Sequence, residues 1–109
     1  MNYIIYMINF PNGKSYIGLT GVGIKKRMQE HLKKARNGSN YAIHRAIRKY
    51  KNCYELFVLK EGLSQEKAKD KEMVFISLYE THGNKGYNLT QGGEGVKITK
   101  DFEYREALS

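Results

Sequence analysis

The sequence predicts an α+β domain in which a small three-stranded sheet is flanked by helices, in the order β-β-α-α-β-α with a possible short last strand. Three observations predict it. Short runs rich in β-branched and aromatic residues open the chain, apolar residues recur at three- and four-residue intervals across positions 24–50, and a further strand-like run is followed by a long helical pattern.

Tyr3 to Ile8 reads as a buried strand, and Pro11, Asn12 and Gly13 follow it as turn formers before strand character resumes from Ser15 to Leu19. The pair forms a β-hairpin whose connection is longer than the tightest two-residue type. Thr20 to Gly23 breaks the second strand. Ile24, Met28, Leu32 and Ala35 then mark an amphipathic helix that ends at Asn37 and Gly38. Ser39 or Asn40 caps the next helix, in which Ile43, Ala46, Ile47 and Tyr50 repeat at helical spacing.

Tyr54 to Leu59 is mostly apolar, which predicts a third strand at the centre of its sheet. Ser64 caps the longest helix, running from Gln65 to Tyr79, with Ala68, Glu72, Phe75 and Tyr79 on one face and Val74 and Leu78 widening the buried side. Glu72 stands out in that apolar row. A buried carboxylate is normally paired or bound to a metal. His82 to Gly86 reads as a loop, Tyr87 to Thr90 as a possible short strand and Gln91 to Gly95 as a flexible break. The predicted domain therefore covers residues 1–95. Residues 96–109 form a tail, or the start of a linker to something larger, in which Thr99 caps a short helix carrying Phe102 and Leu108.

A chain of 109 residues accommodates one domain with one modest core and excludes a second full domain. Its net charge of +8 is concentrated: between Lys25 and Lys51 there are ten basic side chains against the single acid Glu30. Such a segment attracts polyanions, because displacing condensed counterions from a nucleic acid is strongly favourable; it is equally the pattern of a solvated helix face. Lys25, Lys26, Lys33, Lys34, Arg45, Arg48 and Lys49 are the candidate phosphate contacts. Cys53 is the only cysteine, so an intramolecular disulfide and a thiolate zinc cluster are both excluded. With no basic start, cleavage site or membrane-length apolar stretch, the expected location is intracellular.

Phosphodiester hydrolysis requires a positioned and deprotonated water, neutralisation of charge at phosphorus and support of the leaving oxygen. Tyr6 and Tyr16 lie one on each strand of the hairpin, and Arg27 and His31, four apart, project from one side of a helix beside its apolar stripe. Arginine suits the charge, tyrosine and histidine suit proton handling, and a lone glutamate suits an oxygen-liking cation. Taken singly, each also has a structural reading: a half-buried strand tyrosine, a surface arginine, a helix-flank histidine.

The ordered set resembles the GIY-YIG nuclease superfamily. It comprises Ile-Ile-Tyr at 4–6, Tyr-Ile-Gly at 16–18, Arg27 with His31, Glu72 in a later helix and Gly-Tyr-Asn at 86–88. The resemblance spans residues 3 to 95 and departs from the family name at Ile4, where glycine is expected; a strand tolerates isoleucine better, so the fold should be spared. It implies a metal-dependent endonuclease that hydrolyses DNA, similar to phage and viral homing-type members. On that basis Tyr6 helps activate the water, with Tyr16 and His31 in its hydrogen-bond network; Arg27 contacts the scissile phosphate, Glu72 ligates Mg2+ or Mn2+, and Asn88 supports the site. An ordinary phenol is a poor base near neutral pH, so Tyr6 needs neighbouring positive charge or metal-bound water for that role. The implied partner is double-stranded DNA. The alternatives are a repair or restriction nuclease of the same fold, and a non-catalytic nucleic-acid-binding module.

Overall fold

The computed structural model describes residues 2–51 and 53–88. Its elements follow the predicted order: β1 (Tyr3–Asn9), β2 (Ser15–Thr20), α1 (Ile24–Arg36), α2 (Ala42–Tyr50), β3 (Glu55–Leu63) and α3 (Gln65–Leu78), followed by a 3-10 turn at Gly83–Lys85. The three strands form one antiparallel sheet in the order β2-β1-β3.

β1 occupies the centre because its side chains are apolar on both faces and its backbone is paired on both edges. The turn between β1 and β2 is closed by the Gly13 amide donating to the Phe10 carbonyl and the Phe10 amide donating to the Lys14 carbonyl. The sheet separates two cores. On one face Tyr6, Ile8 and Phe10 pack with Met28 and Ala35 of α1 and Ile43, Ala46 and Ile47 of α2. On the other, Ile5 and Ile17 pack with Ala68, Phe75 and Ile76 of α3. Alternation along β1 thus serves two helical layers, which is why its sequence reads as an unbroken apolar run.

The expected central position of the third strand is corrected. β3 is an edge strand, and Leu56, Phe57 and Val58 are 40%, 41% and 47% exposed. An apolar run shows that a strand has apolar faces, not that a neighbour lies on each edge. β3 also continues four residues past Leu59, through two register shifts against β1 and the charged pair Lys60 and Glu61. Charges and bulges of this kind keep an open edge from pairing with other chains.

Two helix details differ from expectation. The N-cap of α2 is Tyr41, with no side-chain cap, because the Ser39 hydroxyl is engaged elsewhere. Tyr79 is the C-cap of α3 and is exposed, stacking on Phe75 instead of joining the buried face. Ser64 caps α3 as predicted, its hydroxyl accepting from the Lys67 amide. Asn88 makes an isolated parallel bridge with His82. The remainder of the possible last strand, the break at 91–95 and the tail helix lie outside the described residues. No helix among the described residues is long and apolar enough to cross a membrane.

Candidate active site

The site is built around Tyr6 in the middle of β1, which is fully buried. Directly across the ladder lies Gly18, and the phenol of Tyr6 rests over it: a Cβ at Gly18 would sit 2.4 Å from the Tyr6 hydroxyl oxygen. Glycine is required there by this close approach. Tyr16, two residues before Gly18, is therefore diagonal to Tyr6, with ring centroids 6.3 Å apart.

α1 brings Arg27 and His31 onto the same phenol. A hydrogen bond of 2.8 Å joins the Tyr6 hydroxyl to His31 Nε2, and Arg27 Nε donates to the Tyr6 oxygen at 3.3 Å. Arg27 Nη1 also forms a salt bridge with Glu30 at 3.2 Å. His31 does not flank the apolar stripe as expected. It is 2% exposed and packs edge-on against Tyr16 at 5.6 Å, so it belongs to the buried face of α1. A polar ring can take that position because both of its nitrogens find partners, the second being His44 Nε2 at 3.0 Å.

Beside this cluster opens a cleft of about 340 Å³, lined by Tyr16, Arg27, His31, Lys34, Glu72 and Asn88 among others. Glu72 comes from α3, on the opposite face of the sheet from α1, and reaches the cleft past the β2 edge. Burial raises its carboxyl from the ordinary 4.5 to about 7, with Arg27 pulling the other way. Burial likewise raises both phenols, and Arg27 opposes that rise at each. His31 is held down to about 3, chiefly by burial and then by Arg27, so the imidazole is neutral.

Asn88 acts on backbone. Its Oδ1 accepts from the Ile17 amide at 2.9 Å and from the Thr81 hydroxyl at 2.7 Å, while its Nδ2 donates to the Ile17 carbonyl at 2.7 Å. It thereby closes the free edge of β2 and ties the loop after α3 to the strand that carries Tyr16. Gly86 makes the loop possible, since a Cβ there would lie 2.3 Å from the Thr81 carbonyl oxygen.

Of the residues singled out in sequence, Tyr16, Arg27, His31, Glu72 and Asn88 line the cleft, and Tyr6 sits one hydrogen bond behind it. The candidate phosphate contacts Lys25, Lys26, Lys33, Lys34, Arg45, Arg48 and Lys49 are all exposed. Lys34 reaches the cleft itself, Lys49 lies over the Tyr50 ring at 5.3 Å, and Arg48 Nη1 donates to the carbonyls of Ala35 and Ser39 at 2.9 and 2.8 Å. Two site residues were missed in sequence: His44, and Ser39, whose hydroxyl is 2.6 Å from His44 Nδ1. The signal available for His44 was its place within the apolar stripe of α2, next to Ile43 and three before Ile47.

A model of the GIY-YIG catalytic domain matches residues 2–88. The chain belongs to the GIY-YIG family. No curated protein matches it. Among solved structures, the GIY-YIG domain is similar to a mutant form of the catalytic domain of intron endonuclease I-TevI, with 25% identity and a TM-score of 0.71, over 84% of this chain and 96% of that one. A second structure, of the catalytic domain of homing endonuclease I-TevI, matches at 25% identity and a TM-score of 0.70, over 81% and 98% of the two chains. The GIY-YIG domain is thus an endonuclease domain with the α+β fold of that enzyme.

Proposed function

We propose that this GIY-YIG domain hydrolyses phosphodiester bonds of double-stranded DNA with the help of a divalent cation, as a homing-type nuclease. The observation that carries the reading is the convergence, in one cleft, of a guanidinium from α1, a phenol from β2 and an isolated carboxylate from α3. The homing type is supported by the likeness to I-TevI.

Glu72 suits a hard cation. Among the described residues no hydrogen bond or salt bridge engages its carboxylate, and no cluster of three or more ligating side chains surrounds it. That donor set matches Mg2+ or Mn2+, which keep several waters and take further ligands from phosphate. When bound, such a cation supplies charge neutralisation at phosphorus and eases ionisation of a water.

The chain's own groups do the positioning. Arg27 uses Nε on Tyr6 and Nη1 on Glu30 and lines the cleft beside Tyr16, which presents its guanidinium to a phosphate oxygen there. Tyr16 is the phenol that faces the cleft, whereas Tyr6, fully buried, acts through Arg27 and His31 instead of touching the water. Lys34 and the exposed cations of α1 and α2 hold the flanking backbone.

Nicking of supercoiled plasmid in Mg2+ tests the proposal. The native chain should cut, and Arg27→Ala and Glu72→Ala should not, while both still fold and bind DNA. Equal nicking by all three would show that another protein cuts, and salt-sensitive binding without any cutting would leave a binding module.

A further inference from the structure

We propose that Ser39 and His44 are positioning residues: with His31 and Tyr6 they form a hydrogen-bond chain of fixed polarity that holds Arg27 in place for the phosphate. What Arg27 meets rests on the nuclease reading above; the chain itself does not.

The chain runs from the surface to the centre of the sheet. Ser39 Oγ lies 2.6 Å from His44 Nδ1, His44 Nε2 lies 3.0 Å from His31 Nδ1, and His31 Nε2 lies 2.8 Å from the Tyr6 hydroxyl. His44 is 4% exposed, His31 2% and Tyr6 not at all, so the two inner links are buried, while Ser39 at the outer end is half-buried. Every ring nitrogen is used, and a neutral imidazole has one N–H and one acceptor. Burial, reinforced by Arg27 and Lys34, keeps both imidazoles neutral. The links must therefore all point the same way.

The two ends decide which way. At the inner end Arg27 Nε donates to the Tyr6 oxygen, and a guanidinium has no acceptor, so of these two partners only His31 Nε2, at 2.8 Å, can take the phenol proton. His31 then carries its proton on Nδ1 and donates to His44, which donates from Nδ1 to Ser39. At the outer end the Tyr41 amide also donates to Ser39 Oγ, at 3.4 Å, consistent with a hydroxyl oxygen that accepts and turns its own proton outward. In the opposite polarity Tyr6 would receive both His31 and Arg27 and would have to turn its own proton away from both. His44 thus selects the His31 tautomer, the tautomer sets the direction of the Tyr6 hydroxyl, and the Tyr6 lone pair holds Arg27.

Long-range proton–nitrogen NMR on the full chain at neutral pH reads the His31 tautomer without substrate. The native protein should show His31 protonated on Nδ1. His44→Leu, which removes the acceptor, should move His31 toward the Nε2-protonated form and lower kcat about tenfold with KM little changed. His44→Gln, whose amide can still accept, should restore both, and Ser39→Ala should shift them less in the same direction. Native His31 protonated on Nε2, a His31 signal unmoved by His44→Leu, or a moved signal with unchanged kcat would each overturn the proposal. Should His44→Leu not fold, Ser39→Ala against His44→Gln makes the same comparison. If the native chain does not cut DNA, the nuclease reading fails alone; loss of the slowly exchanging Arg27 Nε–H signal in His44→Leu then supports the chain, and its retention overturns it.

Discussion

Gly18 and Glu72 show how single positions carry this site. Gly18 exists for the Tyr6 phenol, which lies where a Cβ would be. Gly18→Ala should destabilise the fold by about 1 to 3 kcal/mol, since the displaced ring is buried and hydrogen-bonded, and should lower cutting as well; urea unfolding and plasmid nicking measure the two effects. Glu72 gives a pH dependence of definite sign. Its carboxyl is raised in the folded state from 4.5 to about 7, so the folded protein binds more protons than the unfolded chain between those values. Stability contributed by this group is therefore present at low pH and lost as pH rises across that window. His31 and His44, both lowered by burial, contribute in the opposite sense, so with divalent ions chelated the Glu72 contribution is read as a difference: the melting temperature of Glu72→Gln should rise relative to that of the native protein from pH 5 to pH 8. A native curve with the same slope as the variant's would show that Glu72 is ordinarily solvated.

At the scale of elements, the joint between α1 and α2 adds side-chain bonds to a regular glycine cap, in which Gly38 at φ 86 lets the Gly38 and Ser39 amides donate to the Ala35 and Lys34 carbonyls. Arg48 donates to the carbonyls of Ala35 and Ser39, the first at the end of α1 and the second in the loop, and Ser39 in turn meets His44. Arg48→Ala should lose about 1 kcal/mol in urea unfolding, the usual net worth of such bonds when the donor is largely solvated. It should also loosen Ser39, which gives this basic residue a structural duty whatever it does for DNA. The strand order follows similar reasoning. β1 and β3 both read as apolar runs, yet only β1 is covered on both faces and both edges, because α3 packs mainly toward β2 and β1.

Across the whole molecule, charge is segregated: the +9 segment supplies α1 and α2 on one face of the sheet, while Glu72 enters from α3 on the other. The exposed lysines should therefore act as phosphate contacts that attract DNA without reading its sequence. Replacing Lys25 or Lys33 by alanine should weaken DNA binding equally for unrelated duplexes and lower the slope of log affinity against log salt by about one each, as followed by fluorescence anisotropy. An unchanged slope would place those side chains away from the backbone.

The sequence by itself determined the element order, the hairpin, the Ser64 cap, the placement of charge and the conspicuous carboxylate in α3. These are local quantities: propensity and periodicity report how a residue stands relative to its own helix or strand. Tertiary structure alone decided that β3 is an edge, that His31 is buried, that Tyr6 lies behind the cleft, and that Ser39 and His44 continue its hydrogen bonds. Each of those depends on a partner from another element, such as Asn88 on Ile17 or His44 on His31. Spacing along one chain segment holds no record of which surface will cover it, because burial is a property of the contact between elements and comes into being only when they pack.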